Sequence, residues 1–344
     1  MNILYFGYNS FNEFKRGVEN VILFQSESYP FQKKYYLHWG SKTYPYKYNN
    51  IICISIKHCY YWPIILNLLV FKIYYKNKKE LIIHSHNPLF TFFSFLKTKI
   101  LTVHDGLFYL AKLSNNKLSP LLYIVERVSY YRTQSVHFIS KFTKNNSLYK
   151  NLKNNVIIYN STTLEKFKKN EITPIHENNN ILVVKSIEKK ARFDLILDLA
   201  KRLSNFTFTI AGKGPLLNYF QKEVILFKIN NIKFLGFVSD ENLVELYNNT
   251  FLVINLAEYG EGFGLPIIES YMFNRPVLAS NKCAIPEVII DKSFLISNNT
   301  DNILEKITYV KDVHKNFNYN EFYLKKFSNK VISINYFNYY SSFI

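Results

Sequence analysis

Short apolar runs that end in a polar residue or a glycine recur along this chain, and they constrain its fold more than any other feature. In the first half they fall at 2–8, 81–86, 99–106, 136–140 and 156–162. In the second half they fall at 181–187, 206–216, 232–238 and 251–257, with helical patterns at 193–203 and 241–249. Buried strands that alternate with amphipathic helices are typical of βαβ units and parallel sheets.

A polar stretch near the middle of the chain separates the two series of runs. Residues 168–180 read KKNEITPIHENNN, a composition that is typical of a linker. The chain has 344 residues, which is enough for two hydrophobic cores. We therefore predict an α/β fold with domains at 1–170 and 171–325, and a C-terminal helix at 326–344 that packs on the first domain.

Glycines, histidines and a loop with a carboxylate follow the predicted strands, at the ends where open α/β sheets bind ligands. They include Gly7, Gly17, His84, His86, His104, Gly212, Gly214 and the loop that carries Glu261. We expect these residues to line a cleft between two facing domains. His84 and His86 are expected to face opposite sides of their strand, so they are not predicted to form a metal pair. His86 is a candidate for the acceptor side of the cleft.

The stretch EGFGLPIIES, which begins at Glu261, has the features of a loop that leads into a helix. Gly262 and Gly264 permit a tight turn and close approach of a ligand to the backbone. Pro266 suits the first turn of the helix, and Asn274 falls where a left-handed residue would end it. Backbone amides at the start of such a helix form a site for an anion.

The carboxylates of Glu261 and Glu269 lie on either side of this glycine turn. Carboxylate oxygens accept hydrogen bonds from sugar hydroxyl groups. A phosphate site beside carboxylates predicts a ligand that carries both a phosphate group and sugar hydroxyl groups, such as a nucleotide sugar.

The chain resembles the family-4 glycosyltransferases of the GT-B fold, which consist of two facing Rossmann-like domains with a cleft between them. The main signature is a pair of glutamates separated by seven residues around a Gly-Phe-Gly-Leu-Pro core, which is present at 261–269. Further matches are RGVEN at 16–20, HDG at 104–106, VIIYNSTTLEKF at 156–167, AGKGPL at 211–216, FLGFVSDENLVELYNN at 234–249, NRPVLAS at 274–280 and IPEV at 285–288. Together they cover nearly the whole chain.

The resemblance implies a retaining transfer of a hexose from a nucleotide-diphosphate sugar, which acts as a co-substrate. It implies catalytic roles for His104 near the reacting centre and for Glu261 at the donor sugar. The implied donor-binding residues are Gly17, Gly212, Gly262, Phe263, Gly264, Leu265 and Glu269, the last on the ribose. The resemblance also implies no separate catalytic metal and no other cofactor, and the sequence has no Asp-x-Asp triad to suggest a metal.

The sequence departs from the family pattern after the first strand of the second domain. The two positions where members place basic residues for the diphosphate hold Ser186 and Ala191. Lys185 or Lys190 is predicted to replace this clamp. The alternative is a non-catalytic glycosyltransferase-like partner subunit with a degenerate donor site.

The charge is concentrated in the first half of the chain. Residues 1–170 carry a net charge of +17, and residues 171–344 carry +1. A basic surface favours an anionic membrane surface as a partner, and solvated lysines are the alternative. Nucleic acid is not predicted as a partner, because no recognition motif accompanies the charge.

Two further features bear on location. Three cysteines without metal-ligand spacing predict a reducing, cytoplasmic setting. The apolar stretch at 60–75 is interrupted by Pro63, Asn67 and Lys72, so it predicts a buried or interfacial helix rather than a span. We expect a cytoplasmic protein, peripheral on the inner face of the membrane.

Its acceptor is predicted to be a glycan or a lipid-linked precursor in cell-surface polysaccharide synthesis.

Overall fold

The computed structural model describes residues 1–12, 17–77, 80–148, 154–168 and 178–343. The chain divides into two compact units, one of Met1–Asn160 with Ile332–Ile344 and the other of Ser161–Val331. Most of the predicted linker lies outside the described residues.

The first unit contains an eight-stranded sheet. Its strands are β1 (Asn2–Phe6), β2 (Lys33–Gly40), β3 (Tyr44–Tyr48), β4 (Ile51–Lys57), β5 (Leu81–Ser85), β6 (Thr98–Val103), β7 (Thr133–Phe138) and β8 (Asn155–Ile157). Their order is β3-β4-β2-β1-β5-β6-β7-β8, and all neighbours are parallel except β3 with β4. The helices between them are α1 (Gly17–Glu27), α2 (Trp62–Lys76), α3 (Pro88–Phe93), α4 (Leu107–Leu113), α5 (Ser119–Tyr131) and α6 (Lys141–Asn145).

The second unit contains a six-stranded, all-parallel sheet. Its strands are β9 (Asn180–Val184), β10 (Thr207–Ala211), β11 (Ile232–Gly236), β12 (Leu252–Asn255), β13 (Val277–Ser280) and β14 (Leu295–Ile296), in the order β11-β10-β9-β12-β13-β14. Its helices are α7 (Phe193–Arg202), α8 (Leu217–Leu226), α9 (Asp240–Asn248), α10 (Leu265–Met272), α11 (Ile285–Val288), α12 (Thr300–Val313) and α13 (Tyr319–Lys326). The last helix, α14 (Asn329–Ser341), begins in the second unit and continues into the first. The predicted α/β class with two parallel-sheet domains is confirmed.

The central strand β1 shows why the first unit folds as a layered sheet. Ile3 and Tyr5 point into one hydrophobic cluster, and Leu4 and Phe6 point into another. Because side chains alternate along a strand, an uninterrupted apolar run such as NILYF buries both faces of the sheet.

The last helix, α14, joins the first of these clusters. Ile332, Tyr336 and Tyr340 are buried there against residues of the first unit. The structure thus places the chain from Ile332 onward with the first unit, where the sequence predicted that residues 326–344 would pack.

The boundary between the units lies earlier than the predicted residue 170. The hydroxyl of Thr162 donates to Glu269 at 2.8 Å, and that of Tyr323 donates to Glu165 at 2.6 Å. These bonds attach residues 161–168 to the second unit, so the boundary falls between residues 160 and 161. An apolar run that ends in Asn-Ser-Thr gives no local signal of these distant partners.

Within the described ranges, no helix is both long enough and apolar enough to cross a membrane. The apolar stretch that was predicted to be a buried or interfacial helix forms α2.

Arg275 links two elements of the second unit. It follows Asn274, whose φ of +56° confirms the predicted left-handed residue after α10. The Arg275 side chain is completely buried, and its Nε and Nη2 atoms donate to the carbonyl oxygens of Tyr247 and Asn248 at 3.0 and 2.8 Å. A guanidinium group at the C-terminus of α9 satisfies carbonyls that have no partner within the helix.

We expect Arg275→Lys to lower the free energy of unfolding by about 2 kcal/mol, because an ammonium group cannot reproduce the two forked bonds of the guanidinium group. Urea unfolding followed by circular dichroism measures this change. Arg202→Lys is the matched control, because Arg202 is half exposed in its ion pairs with Asp198 and Asp301. Equal losses in the two variants would contradict the role of Arg275.

Candidate functional site

An ion pair lies beyond the carboxyl ends of the central strands of the second unit. Lys185 follows β9, and its Nζ atom lies 2.7 Å from Oε2 of Glu261 and 2.9 Å from Oδ1 of Asn255. The two charged side chains are only 12% and 20% exposed. A largely buried pair with an additional hydrogen bond fixes the orientation of the Glu261 carboxylate.

Two glycines allow the loop after β10 to approach the backbone of Lys185 and Ile187 closely. A Cβ atom on Gly212, whose φ is +155°, would lie 1.9 Å from the carbonyl oxygen of Lys185. A Cβ atom on Gly214 would lie 2.3 Å from the carbonyl oxygen of Ile187. Gly212, predicted to bind the donor, therefore has a structural requirement of its own: only glycine permits this approach.

The Gly-Phe-Gly turn continues from Glu261 into α10. Gly264 has a φ of +98° and directly precedes Leu265, the first residue of the helix, which confirms the predicted loop and helix start. Phe263 is buried and contacts the ring of Phe327 edge-on. Its side chain thus anchors the turn, and Gly262 and Gly264 on either side are buried as well. A ligand would therefore contact the backbone of Phe263 and not its side chain.

Glu269 lies on α10 and is 7% exposed. Its Oε1 accepts from the Thr162 hydroxyl at 2.8 Å, and its Oε2 accepts from the Tyr247 hydroxyl at 2.9 Å. Burial, followed by the Glu269 charge, raises the pKa of Tyr247 well above its usual range, so the phenol remains a donor.

The two positions that lack the family's basic residues have other partners. The Ser186 hydroxyl donates to Glu188 at 2.7 Å, and Ala191 is buried. Lys190 is one-third exposed, with its Nζ atom 3.7 Å from Glu188. The carbonyl oxygen of Lys190 accepts from the backbone N–H of Glu258 at 2.8 Å, which holds Lys190 beside the loop that leads to Glu261.

Glu258 is a further charged residue of this loop, and sequence reasoning missed it. Its carboxylate binds the Lys282 ammonium group, the amide of Asn298 at 2.8 Å and the guanidinium group of Arg192 at 3.2 Å. The Lys282 contact is the main reason that the pKa of Glu258 falls to about 2. Its position three residues before Glu261 indicated a place in the same loop. Its three partners are distant in sequence, so no local pattern indicated these contacts.

These residues border a polar pocket of about 620 Å³ beyond the ends of β13 and β14. Its walls are formed by Arg192, Glu258, Asn281, Lys282, Leu295, Ile296, Ser297, Asn298 and Asn302.

In the first unit, His104 lies just beyond β6 and is partly exposed. Its Nε2 atom lies 2.8 Å from Nδ1 of His86, and Nε2 of His86 lies 2.9 Å from Oε1 of Gln25. His86 is 1% exposed with both ring nitrogens occupied, so the predicted contact with an acceptor does not fit its position. The structure instead places His86 behind His104.

The expectation that His84 and His86 face opposite sides is wrong. Their rings stack with centroids 4.7 Å apart. Residues two apart in an extended chain lie on the same face, which places both rings on one side. Among the described residues, no group of three or more His, Cys, Asp or Glu side chains is arranged to hold a metal ion.

Burial lowers the pKa of His104 to about 3, with a smaller contribution from His137. Burial likewise lowers the pKa of His86 well below its usual range. Both imidazoles are therefore neutral near pH 7.

Gly17 is the first residue of α1 and is exposed, and the preceding Arg16 lies outside the described ranges. Glu19 in the same turn is fully buried and accepts from the backbone N–H and side-chain amide of Asn9, at 3.1 and 3.2 Å. These bonds fix the start of α1 beside the loop that follows β1.

Comparison with known proteins gives a family for the second unit. Residues 164–319 match the family model described as glycosyl transferases group 1. An uncharacterized 41.2 kDa protein in the cps region of Klebsiella pneumoniae is 26% identical over 257 residues, 71% of this chain and 64% of that protein. The O-antigen chain mannosyltransferase B of Escherichia coli is 40% identical over 68 residues, 20% of this chain and 18% of that protein. The matches thus span less than two thirds of these relatives' own lengths.

Solved structures resemble the chain over nearly its whole length. Sucrose-phosphate synthase from Thermosynechococcus elongatus superposes with a TM-score of 0.81 at 13% identity, over 99% of this chain and 98% of that one. HepE of Anabaena, in complex with UDP and glucose, superposes with a TM-score of 0.76 at 15% identity, over 97% and 98%. At such identities the likeness concerns the fold, which is GT-B in these glycosyltransferases.

The sequence signature, the family model and the fold agree. Residues 164–319 match the group 1 glycosyl transferases, and the chain has the GT-B fold.

Proposed function

We propose that this protein is a retaining glycosyltransferase that moves a hexose from a nucleotide-diphosphate sugar to a glycan or lipid-linked acceptor in cell-surface polysaccharide synthesis. The observation that carries the proposal is the Lys185–Glu261 ion pair at the start of the EGFGLPIIES turn, beyond the carboxyl ends of a parallel sheet. The bound UDP and glucose in HepE and the name of the E. coli relative support the substrate class.

In this proposal, Glu261 acts as an orienting and electrostatic group for the donor sugar. Transfer develops positive charge at the anomeric carbon and negative charge on the departing diphosphate. A carboxylate held by Lys185 stabilises the first without moving during the reaction. The amides of residues 262–265 and a cation stabilise the second. The acceptor attacks from the face of the leaving group, which retains the anomeric configuration.

The two candidate lysines have different tasks in this arrangement. Lys185 is committed to Glu261 and Asn255 in a largely buried site. Within the described part of the chain, the Lys190 ammonium group has a single long contact, with Glu188, and it keeps exposed surface. We therefore assign the diphosphate contact to Lys190 and the positioning of Glu261 to Lys185.

Thermal-shift measurements with UDP, GDP, ADP, CMP and their sugar conjugates test the function first. We expect one nucleotide family to stabilise the protein, and Glu269→Gln to abolish this shift by removing a ribose acceptor. Glu305→Gln, a matched change on the exposed face of α12, should leave the shift intact. No shift with any nucleotide would instead favour the non-catalytic partner subunit.

Donor turnover measured with and without EDTA tests the expectation that no metal is needed.

The proposed division between the lysines predicts opposite kinetic effects. Lys190→Met should raise the KM for the donor about tenfold with little change in kcat, since one charge-assisted contact to phosphate is lost. Lys185→Met should lower kcat more than it changes KM, because Glu261 loses its partner. Steady-state kinetics with the nucleotide sugar identified above measures both. The reverse pattern would transfer the diphosphate contact to Lys185.

We also propose that the first unit binds an anionic membrane surface at the cytoplasmic face. Helix α2 and the turn before it expose an apolar stripe of Tyr61, Ile64, Leu68 and Tyr75, with Lys72 exposed among them. An apolar stripe with lysines suits the interface of a membrane with anionic headgroups, and the +17 charge of residues 1–170 adds long-range attraction.

Sedimentation with phosphatidylglycerol vesicles tests this attachment. Replacing Ile64 and Leu68 by serine should weaken binding at least tenfold, because each buried aliphatic side chain contributes about 1.5–3 kcal/mol. Replacing the exposed Ile225 and Leu226 of α8 by serine is the matched control and should have no effect. Equal binding by wild type and the α2 variant would exclude the stripe as the contact.

A further inference from the structure

A buried polar network surrounds His104 in the first unit. Three more histidines, His84, His86 and His137, are fully buried behind it. Tyrosines of α14 complete the network from the opposite end of the chain. A histidine with two bonded ring nitrogens has a fixed tautomer, and the tautomer of each can be worked out from its neighbours.

The deeper branch of the network begins at a carbonyl group. Nε2 of His137 lies 2.9 Å from the carbonyl oxygen of Ile158, which only accepts, so Nε2 carries the proton. Nδ1 of His137 then accepts from the Thr102 hydroxyl at 2.9 Å. The Thr102 oxygen accepts from Nε2 of His84 at 2.7 Å, and Nδ1 of His84 accepts from the Tyr340 hydroxyl at 2.9 Å. The Tyr336 hydroxyl also lies 3.4 Å from Nε2 of His137, a longer contact than the one to Ile158.

The branch that reaches His104 begins at Gln25. The Gln25 amide nitrogen donates to the Tyr336 hydroxyl at 3.1 Å, and the Gln25 amide oxygen lies 2.9 Å from Nε2 of His86. An amide oxygen only accepts, and therefore Nε2 of His86 is protonated and Nδ1 is an acceptor. The Nε2 atom of His104, 2.8 Å away, must then be the donor.

We propose that Gln25 is a positioning residue that acts through His86 to hold His104 as the Nε2–H tautomer, with Nδ1 left as a hydrogen-bond acceptor for a substrate hydroxyl group. The contact with substrate rests on the proposed function, but the tautomer does not. Helix α14 has a part in this device, because the Tyr336 hydroxyl accepts from the Gln25 amide nitrogen. Burial of the histidines disfavours a second proton on any of them, which keeps the direction of the bonds fixed.

The tautomers can be read from two-bond 1H–15N NMR spectra of the full-length protein labelled with 15N-histidine. Wild-type His86 and His104 should both show the Nε2–H pattern near pH 7. In Gln25→Leu, His86 loses its acceptor, and the ratio of Nε2–H to Nδ1–H in His104 should fall about tenfold, the change that one ordinary hydrogen bond controls.

Tyr336→Phe preserves the packing of α14 and serves if Gln25→Leu does not fold. It removes the acceptor of the Gln25 amide nitrogen, so the His104 ratio should fall in the same direction. Tyr339→Phe is the matched control on the same helix, since its hydroxyl contacts Ser135 at 2.8 Å and not this branch. An Nδ1–H pattern for wild-type His104, or an unchanged ratio in Gln25→Leu and Tyr336→Phe, would overturn the proposal.

Kinetics then separates this inference from the proposed function. Once a donor is known, Gln25→Leu should lower kcat about tenfold with little change in the KM for the donor, and Tyr339→Phe should match wild type. A wild-type protein with the Nε2–H pattern but no transferase activity would refute the proposed function and leave the tautomer assignment standing. An active protein with His104 in the Nδ1–H form would refute only the inference.

Discussion

The approach of the Gly212 backbone to Lys185 is the constraint on which the rest of the second unit's site depends. The two strands β9 and β10 end side by side, and the loops that leave them meet within a distance that excludes a Cβ atom. This contact fixes the backbone of Lys185, whose ammonium group in turn fixes Glu261. A loop glycine thus determines, through one lysine, where a candidate catalytic carboxylate lies.

Local patterns were sufficient to predict much of this arrangement. Residue type and short spacing predicted a strand at 181–187, which is observed at Asn180–Val184, and a helix near Pro266, which is observed from Leu265. They also predicted the left-handed Asn274. Each depends on interactions within a few residues, such as the fixed φ of Pro266 or the tolerance of asparagine for a left-handed backbone. The family signature added the expected roles, since spacing alone does not name a ligand.

Features set by distant partners were not predictable in the same way. The strand Lys33–Gly40 was missed, because its run of tyrosines and lysines lacks both clear alternation and a closing turn signal. Glu258 was missed because its partners are 24 to 66 residues away. His86 was given a ligand contact, although its burial behind His104 depends on Gln25, which is 61 residues away. Sequence period indicates which face a residue occupies, and tertiary packing decides what covers that face.

The two units control their candidate groups by opposite electrostatic means. His104 is kept neutral, because burial among other histidines makes a second proton costly and leaves a directed acceptor at Nδ1. Glu261 lies against an ammonium group, which holds its carboxylate in a mostly buried position. A neutral acceptor suits a sugar hydroxyl, and a fixed anion suits a carbon that becomes positive. The chemistry of each group therefore depends on its neighbours, and substitutions that leave both His104 and Glu261 in place can still alter it.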